Sequence, residues 1–431
     1  MAPRSLALGA ALAALALGAA GCAGSSGPAS PVAAKTSSTL TVWYMDGDLS
    51  GPDQAAIGAA FTKATGAKVD VQIQEWANIN TKLATALAQN DPPDVVEIGN
   101  TDVPLFAATG ALADLTQDQS TLEQGQAWLQ GLSGPATVSG HLYAAPLFAG
   151  NRAVIYNKKI WAAAGVTSVP TSYAELTADL DKIKAANPSP AFSAFYFPGE
   201  YWYGALQFVW DAGGQLATES GSTWSGGLSS AAAQQGLATW KQFQNTYSTA
   251  ASRNVDTKSP DQAALFAQGK AATILDTSLN TVLKDNPSLK DEVGVFPFPG
   301  QSAGTNQPVF LGGSDLAIAA KSADYQLAVQ YLKAATSVAV QKADIVGIDG
   351  WTPISTQLIS QTSSSLSTTA QAFASAAARS VATPATPGWA TIESDSSINQ
   401  FFASIATGSS SPAQAAQSFD SHLDQALNAT P

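Results

Sequence analysis

The chain holds one cysteine, Cys22, and two histidines, His141 and His422, among 431 residues. One cysteine excludes an internal disulfide in any compartment. Two histidines, one in a hairpin and one in the last helix, leave little material for a His-based dyad or a metal centre. No metal or cofactor is therefore expected. The strings G-x-G-x-x-G and H-E-x-x-H are absent, as is a phosphate-loop lysine. Charge is scarce as well: 12% of residues are Asp, Glu, Lys or Arg, so the surface must rest on Gln, Asn, Ser and Thr. Removing Arg4 with a leader leaves 19 basic residues against 32 acidic ones, about −13. An acidic chain without a basic run is a poor partner for nucleic acid or an anionic membrane surface. Two carboxylates at the right separation suffice for glycoside hydrolysis, and that route stays open.

What is present begins with an export signal. Arg4 precedes Leu6 to Ala20, an apolar Ala/Leu run too short and alanine-rich for a good membrane span. It ends in Ala19-Ala20-Gly21 before Cys22, so residues 1–21 read as a leader. A lone cysteine at the cleavage point suggests a lipoprotein, two acyl chains on Cys22 holding the protein to a membrane without crossing it. Ala19 stands where such leaders carry leucine, and the other reading is an ordinary signal with Cys22 left as a thiol. Residues 22–39 have neither periodicity nor bulk and read as a flexible tether. The remaining length, with 45% hydrophobic residues over the whole chain, suits two or three domains with full cores.

From Leu40 onward, strands and helices alternate. Leu40–Tyr44, Lys68–Gln74 and Asp94–Ile98 read as strands, with helices over Ile79–Ala88 and Val103–Gly110, which predicts a parallel sheet with right-handed crossovers. Asp46, Asp48 and Ser50 have the spacing of half a calcium loop, but Ile57 stands where the bidentate glutamate belongs. The stretch fits a strand-to-helix loop better: Pro52 suits the first helical position, Asp53 the first turn and Gly66 the end. Ligands of open α/β sheets sit at the carboxyl ends of strands. That rule brings forward Asp46, Glu75, Trp76, Asn100, Thr101 and Asp102, although Trp76 suits a packing role equally well.

The stretch Ser139 to Ile160 organises the rest. Leu142 to Pro146 reads as a strand ended by its proline, Ala149 to Arg152 as a small polar break, and Ala153 to Tyr156 as a second strand. It is either a bent hairpin or a chain passing between two domains. Gly140-x-x-Tyr143-Ala144-x-Pro146, with Tyr156-Asn157-Lys158 following, resembles the crossover segment of family 1 extracellular solute-binding proteins, the sugar-capturing lipoproteins of ATP-driven importers. Further matches are the string Pro92 to Glu97, Gly110-x-Leu112-x-Asp114-Leu115, Phe266-x-x-Gly269-Lys270-Ala271-Ala272 and Phe310 to Ile318. Trp43 to Gly47 with Glu97 to Thr101 is similar to actinobacterial disaccharide and chito-oligosaccharide binders. The chain departs from the family after Ala272. A stacking tryptophan usual there is missing from Asp276 to Asn280, which leaves Asp276 as the polar candidate.

The resemblance implies an α/β, two-lobed periplasmic-binding-protein-like fold of type II, each lobe a mostly parallel sheet flanked by helices. The lobes would be 40–148 with 297–320, and 149–296 with 321–431. It further implies a monomer without catalysis that captures a di- or oligosaccharide by cleft closure. Anchored by lipid on the outer face of the cell membrane, it would deliver its cargo to ABC permease subunits. Pyranose rings rest their C–H faces on aromatic planes and give hydroxyls to carboxylates. Pro198 to Trp202 offers that mixture, so Glu200, Tyr201 and Trp202 are candidates, while Phe192, Phe195, Phe208 and Trp210 read as core. Asn151 and Arg152 lie at the crossing, where Arg152 offers a fixed donor fork. Ser314 follows a Gly-Gly pair, and Trp351 and Trp389 stand in loops flanked by proline and glycine. A non-sugar solute and a surface glycoside hydrolase are the alternatives.

Overall fold

The structure is a computed structural model that describes residues 39–429. The leader, Cys22 and the tether up to residue 38 lie outside the described residues. Apolar runs give β1 (Thr39–Met45), β2 (Lys68–Gln74) and β3 (Val95–Gly99), linked by helices Gly51–Thr65 and Ile79–Leu87. β1 lies parallel to both β2 and β3, as two strand–helix–strand units require. The helix Gly51–Thr65 starts and stops where the sequence indicates. The Ser50 side chain accepts from the Asp53 N–H, Pro52 sits in the first turn, and Gly66 closes the end at φ 76°.

β4 (Ala144–Asn151) does not stop at Pro146, contrary to expectation. Pairing slips there, with Ser314 opposite Phe148 and Asp315 opposite Pro146, so a bulge absorbs the donor that proline lacks. Only Arg152 separates β4 from β5 (Ala153–Asn157), and the two strands belong to different sheets. β5 is the centre of a three-stranded sheet, antiparallel to β6 (Thr273–Asp276) and β7 (Val293–Phe296). The expectation of a mostly parallel second sheet is corrected here. β6 and β7 do run the same way, joined across β5 through helix Asn280–Asp285. β5 arrives from the other sheet and lies between them reversed. The chain returns as β8 (Val309–Ile318), antiparallel to β3 and β4, with the short β9 (Ser380–Val381) beside its start.

The buried side chains form two large cores and a smaller one. The first gathers Leu40, Val42, Ile98, Leu147 and Ile318 with Val329, Leu332 and Leu358. The second gathers Trp161, Phe195, Phe208, Trp240, Trp389 and Phe402 with the closing helix Pro412–Leu427, and the third lies around Ile155, Phe266 and Ile274. The stretch 321–431, expected as part of the second lobe, is therefore divided. Its helix Tyr325–Ala335 packs on the first core, where the Tyr331 and Tyr44 hydroxyls bond at 2.8 Å and the Tyr331 ring meets Phe61 edge-on at 5.5 Å.

Candidate functional site

A cavity of about 550 Å³ lies where the chain crosses from β4 to β5 and returns along β8. Gly150 and Arg152 come from the crossing, and Phe310 and Gly312 to Ser314 from the return. The carboxyl ends of the parallel strands supply Asp48, Trp76 and the run Gly99 to Asp102. Tyr203, Thr277 and Glu393 close the side belonging to the second core. Gly313 is needed for this approach. It has φ 142°, and a Cβ there would stand 2.2 Å from the Phe148 carbonyl oxygen. A larger cavity of about 640 Å³, lined by Tyr173, Asp181, Gln235 and Tyr247 among others, receives neither crossing segment.

Asp48 anchors the first-core side. Its carboxylate accepts from Ser314 Oγ at 3.2 Å and from Trp76 Nε1 at 3.4 Å. Its carbonyl accepts from Trp351 Nε1 at 3.0 Å. Behind it Glu97, fully buried in the middle of β3, accepts from the Met45 N–H at 2.8 Å. Burial, and then the bond to Asp48 and its charge, hold the Glu97 carboxyl well above the usual carboxylate range. Trp351 stacks on Phe148, ring centroids 4.5 Å apart and planes 25° from parallel.

Arg152 anchors the other side. Its Nε donates to Tyr201 Oη at 2.7 Å, and that hydroxyl donates to the Leu275 carbonyl at 3.1 Å. The guanidinium lies over the Tyr203 ring at 4.3 Å and within 5.7 Å of Phe310. Glu393, on helix Gly388–Ser394, is pushed up to about 8 by burial and then by the charge of Asp102, against a bond from Thr101. Burial also raises Asp102, which accepts from Asn80 Nδ2 at 3.1 Å. Asp102 and Glu393 thus face the same cavity as Asp48. Among the described residues no cluster of His, Cys, Asp and Glu has the arrangement of a metal site.

The sequence model of the bacterial extracellular solute-binding proteins matches residues 46–342. The chain belongs to that family. A relative, the diacetylchitobiose binding protein DasA of Streptomyces coelicolor, is 36% identical over 393 residues, 90% of each chain. The sugar-binding protein MalE of Xanthomonas citri superposes with a TM-score of 0.78 at 23% identity, covering 90% of this chain and 97% of its own. The GacH receptor of Streptomyces glaucescens, solved with and without acarbose, gives 0.71 at 24% identity over 91% of this chain and 99% of its own. Both structures share the two-lobed fold, and both belong to proteins that the family resemblance anticipates.

Within this solute-binding protein the predicted residues divide. Trp76, Asn100, Thr101, Arg152, Ser314 and Trp351 line the cavity. The Asn100 amide, however, is committed to the Gly131 and Leu311 carbonyls at 3.0 and 2.9 Å, so it holds the wall. Asp46 and Glu75 lie outside the wall and are exposed, because the turn after each strand aims the neighbours Asp48 and Trp76 inward instead. Asn151 is buried and donates to the Phe373 carbonyl at 2.8 Å, lining a smaller adjoining cavity of about 250 Å³. Tyr201 stands behind Arg152, and Asp276 accepts from the Thr277 N–H at 2.7 Å while Thr277 itself reaches the cavity. Glu200 lies off the wall, its carbonyl accepting from Asn399. Trp202 and Trp389 are core, 5.7 Å apart edge to face. Sequence reasoning missed Phe148, Tyr203, Phe310 and Glu393. Tyr203 adjoins a string already singled out and Phe310 opens one, whereas nothing in one sequence marks Glu393.

Proposed function

We propose that this protein captures a di- or oligosaccharide in the cavity at the crossing and hands it to the permease subunits of an ATP-driven importer. The reading rests on the make-up of the wall. The rings of Trp76, Phe148, Tyr203, Phe310 and Trp351 stand among Asp48, Asp102, Arg152 and Glu393, the mixture a pyranose requires. The names of relatives agree with it, diacetylchitobiose for one and acarbose for another. Walls drawn from two cores suit a population shift, in which a ligand touching both favours the closed arrangement. Contacts that bridge the cores then set the affinity gain on closure. In this reading the first lobe comprises residues 40–148 and 297–320 with the segment 325–359, and the protein acts as a monomer. It is held to the outer membrane face by lipid on Cys22, and Cys22→Ser should release it into the medium.

One observation favours hydrolysis as a second reading. Asp102 and Glu393 line one cavity, and burial with the charge of Asp102 raises the Glu393 carboxyl to about 8, the direction that the acid of a hydrolytic carboxyl pair requires. A thermal-shift screen of residues 23–431 against mono-, di- and oligosaccharides, N,N′-diacetylchitobiose and maltose first, separates the readings. A raised melting temperature with one sugar class recovered intact supports capture. Shortened products support hydrolysis. No shift with any sugar overturns both and leaves a non-sugar solute.

A further inference from the structure

We propose that Asp53 is a positioning residue for the cleft: a proton shared between the Asp53 and Asp349 carboxyls clasps the Trp351 loop to the loop after β1. The proposal takes Trp351 as part of the binding wall, the reading given above, but its test uses no sugar.

The loop carrying Trp351 follows the π-helical turn Gln341–Ile345. Two of its fixings go to the loop after β1. Trp351 Nε1 donates to the Asp48 carbonyl at 3.0 Å, and the Ser50 N–H donates to Asp349 Oδ2 at 2.7 Å. Directly behind, in the first turn of helix Gly51–Thr65, Asp53 has no accessible surface. No N–H or O–H of another residue reaches either of its carboxyl oxygens. The group beside it is the Asp349 carboxyl. Two bare carboxylates side by side, one of them without accessible surface, repel, whereas one proton between them makes a strong charge-assisted bond.

The proton's hold is set by its surroundings. Burial first, then the bond to Asp349 and its charge, then the charge of Asp344 raise Asp53 from 3.8 to about 7. Both acting charges are acidic. Neither Lys333, on the helix Tyr325–Ala335 packed alongside, nor Lys342, in the same π-turn as Asp344, enters its balance. A value raised on folding means that the clasp's contribution is full below 3.8 and is lost as pH rises through about 7. At Glu97, beside Asp48, burial holds the carboxyl well above the usual carboxylate range. Asp53–Asp349 is the pair that opens near neutrality, and it fixes the platform ring that stacks on Phe148.

The test follows the indole N–H of Trp351 in the sugar-free protein. Its NMR signal is assigned by its loss in Trp351→Phe, and its hydrogen exchange is measured from pH 5.5 to 8.5. After correction for the intrinsic pH dependence of exchange, protection in the wild type should fall about tenfold between pH 6 and 8, with a midpoint near 7. Asp53→Asn, whose amide can donate to Asp349 at every pH, should keep the protection and lose the midpoint. Asp53→Ala should be unprotected throughout. Should Asp53→Ala fail to fold, the wild type and Asp53→Asn still decide the matter. A flat wild-type profile overturns the proposal, and so does a midpoint that survives in Asp53→Asn, since it would belong to another group.

Discussion

Around Asp48 and around Trp202 the protein uses aromatic rings in two different ways. At Asp48 the indole edges of Trp76 and Trp351 are tied by N–H bonds to one residue, while the rings border the cavity. At Trp202 the rings are tied by one another: Phe310 at 5.2 Å and 67°, Trp389 at 5.7 Å and 75°. Tyr203 and Phe310 join the two regions, packed against this core and lining the cavity under Arg152. A ring that must present a face to a ligand gives up packing on that face, and polar anchoring of its edge holds it still in place of packing. A ring packed on all sides is held without such anchors but presents nothing.

The comparison predicts opposite costs for similar truncations. Trp389→Ala should lose about 3–5 kcal/mol of stability in urea unfolding, because a fully buried ring leaves a cavity in the second core. Trp351→Ala should instead lose about 2 kcal/mol of sugar affinity by calorimetry, with a stability change of about 1 kcal/mol or less. A Trp351→Ala protein as unstable as Trp389→Ala would erase the distinction between platform and core.

That distinction is also where the sequence stops being legible. Trp351 and Trp389 carry the same sign, a tryptophan beside glycine and proline, and only tertiary packing assigns one to a cavity and the other to a core. The alternation of strand and helix from Leu40 to Gly99 reads directly, because each element follows from local periodicity and caps. The crossing reads less well. Pro146 signals a strand end, and the bulge that accommodates it is formed against Ser314 and Asp315, far away in sequence. Asp46 stands two residues from Asp48, the carboxylate that borders the cavity, since a loop's aim is set by its closure and not by residue type. Glu393 lies almost three hundred residues from Asp102, and only the fold brings their charges together.

Arg152 tests the seam between the two regions. Its guanidinium covers Tyr203 and its Nε holds Tyr201, so it links core aromatics to the cavity. Arg152→Ala should weaken sugar binding by about 1–2 kcal/mol, the range of a partly desolvated cation–π contact, and leave both lobes folded by circular dichroism. Wild-type affinity in that variant would remove Arg152 from the site and place the whole aromatic seam with the core.

Glu393 offers the smallest and most selective test, read per unit of pH. Folding raises its carboxyl from the ordinary 4.5 to about 8, mainly through burial and then through Asp102. The folded protein therefore binds a proton there that the unfolded chain releases above 4.5. The contribution of this site to stability is full below 4.5 and declines as pH rises through 8. The slope between those limits is at most about 1.4 kcal/mol per pH unit. Glu393→Gln carries no proton to lose, so its stability should decline less steeply than wild type between pH 5 and 8, while the two curves should run parallel above pH 9. Parallel curves throughout would mean that Glu393 is ionised in the folded protein. The cavity would then face its ligand with an unshielded acidic pair, and the lobes would have to stay apart until a hydroxyl or a cation came between Asp102 and Glu393.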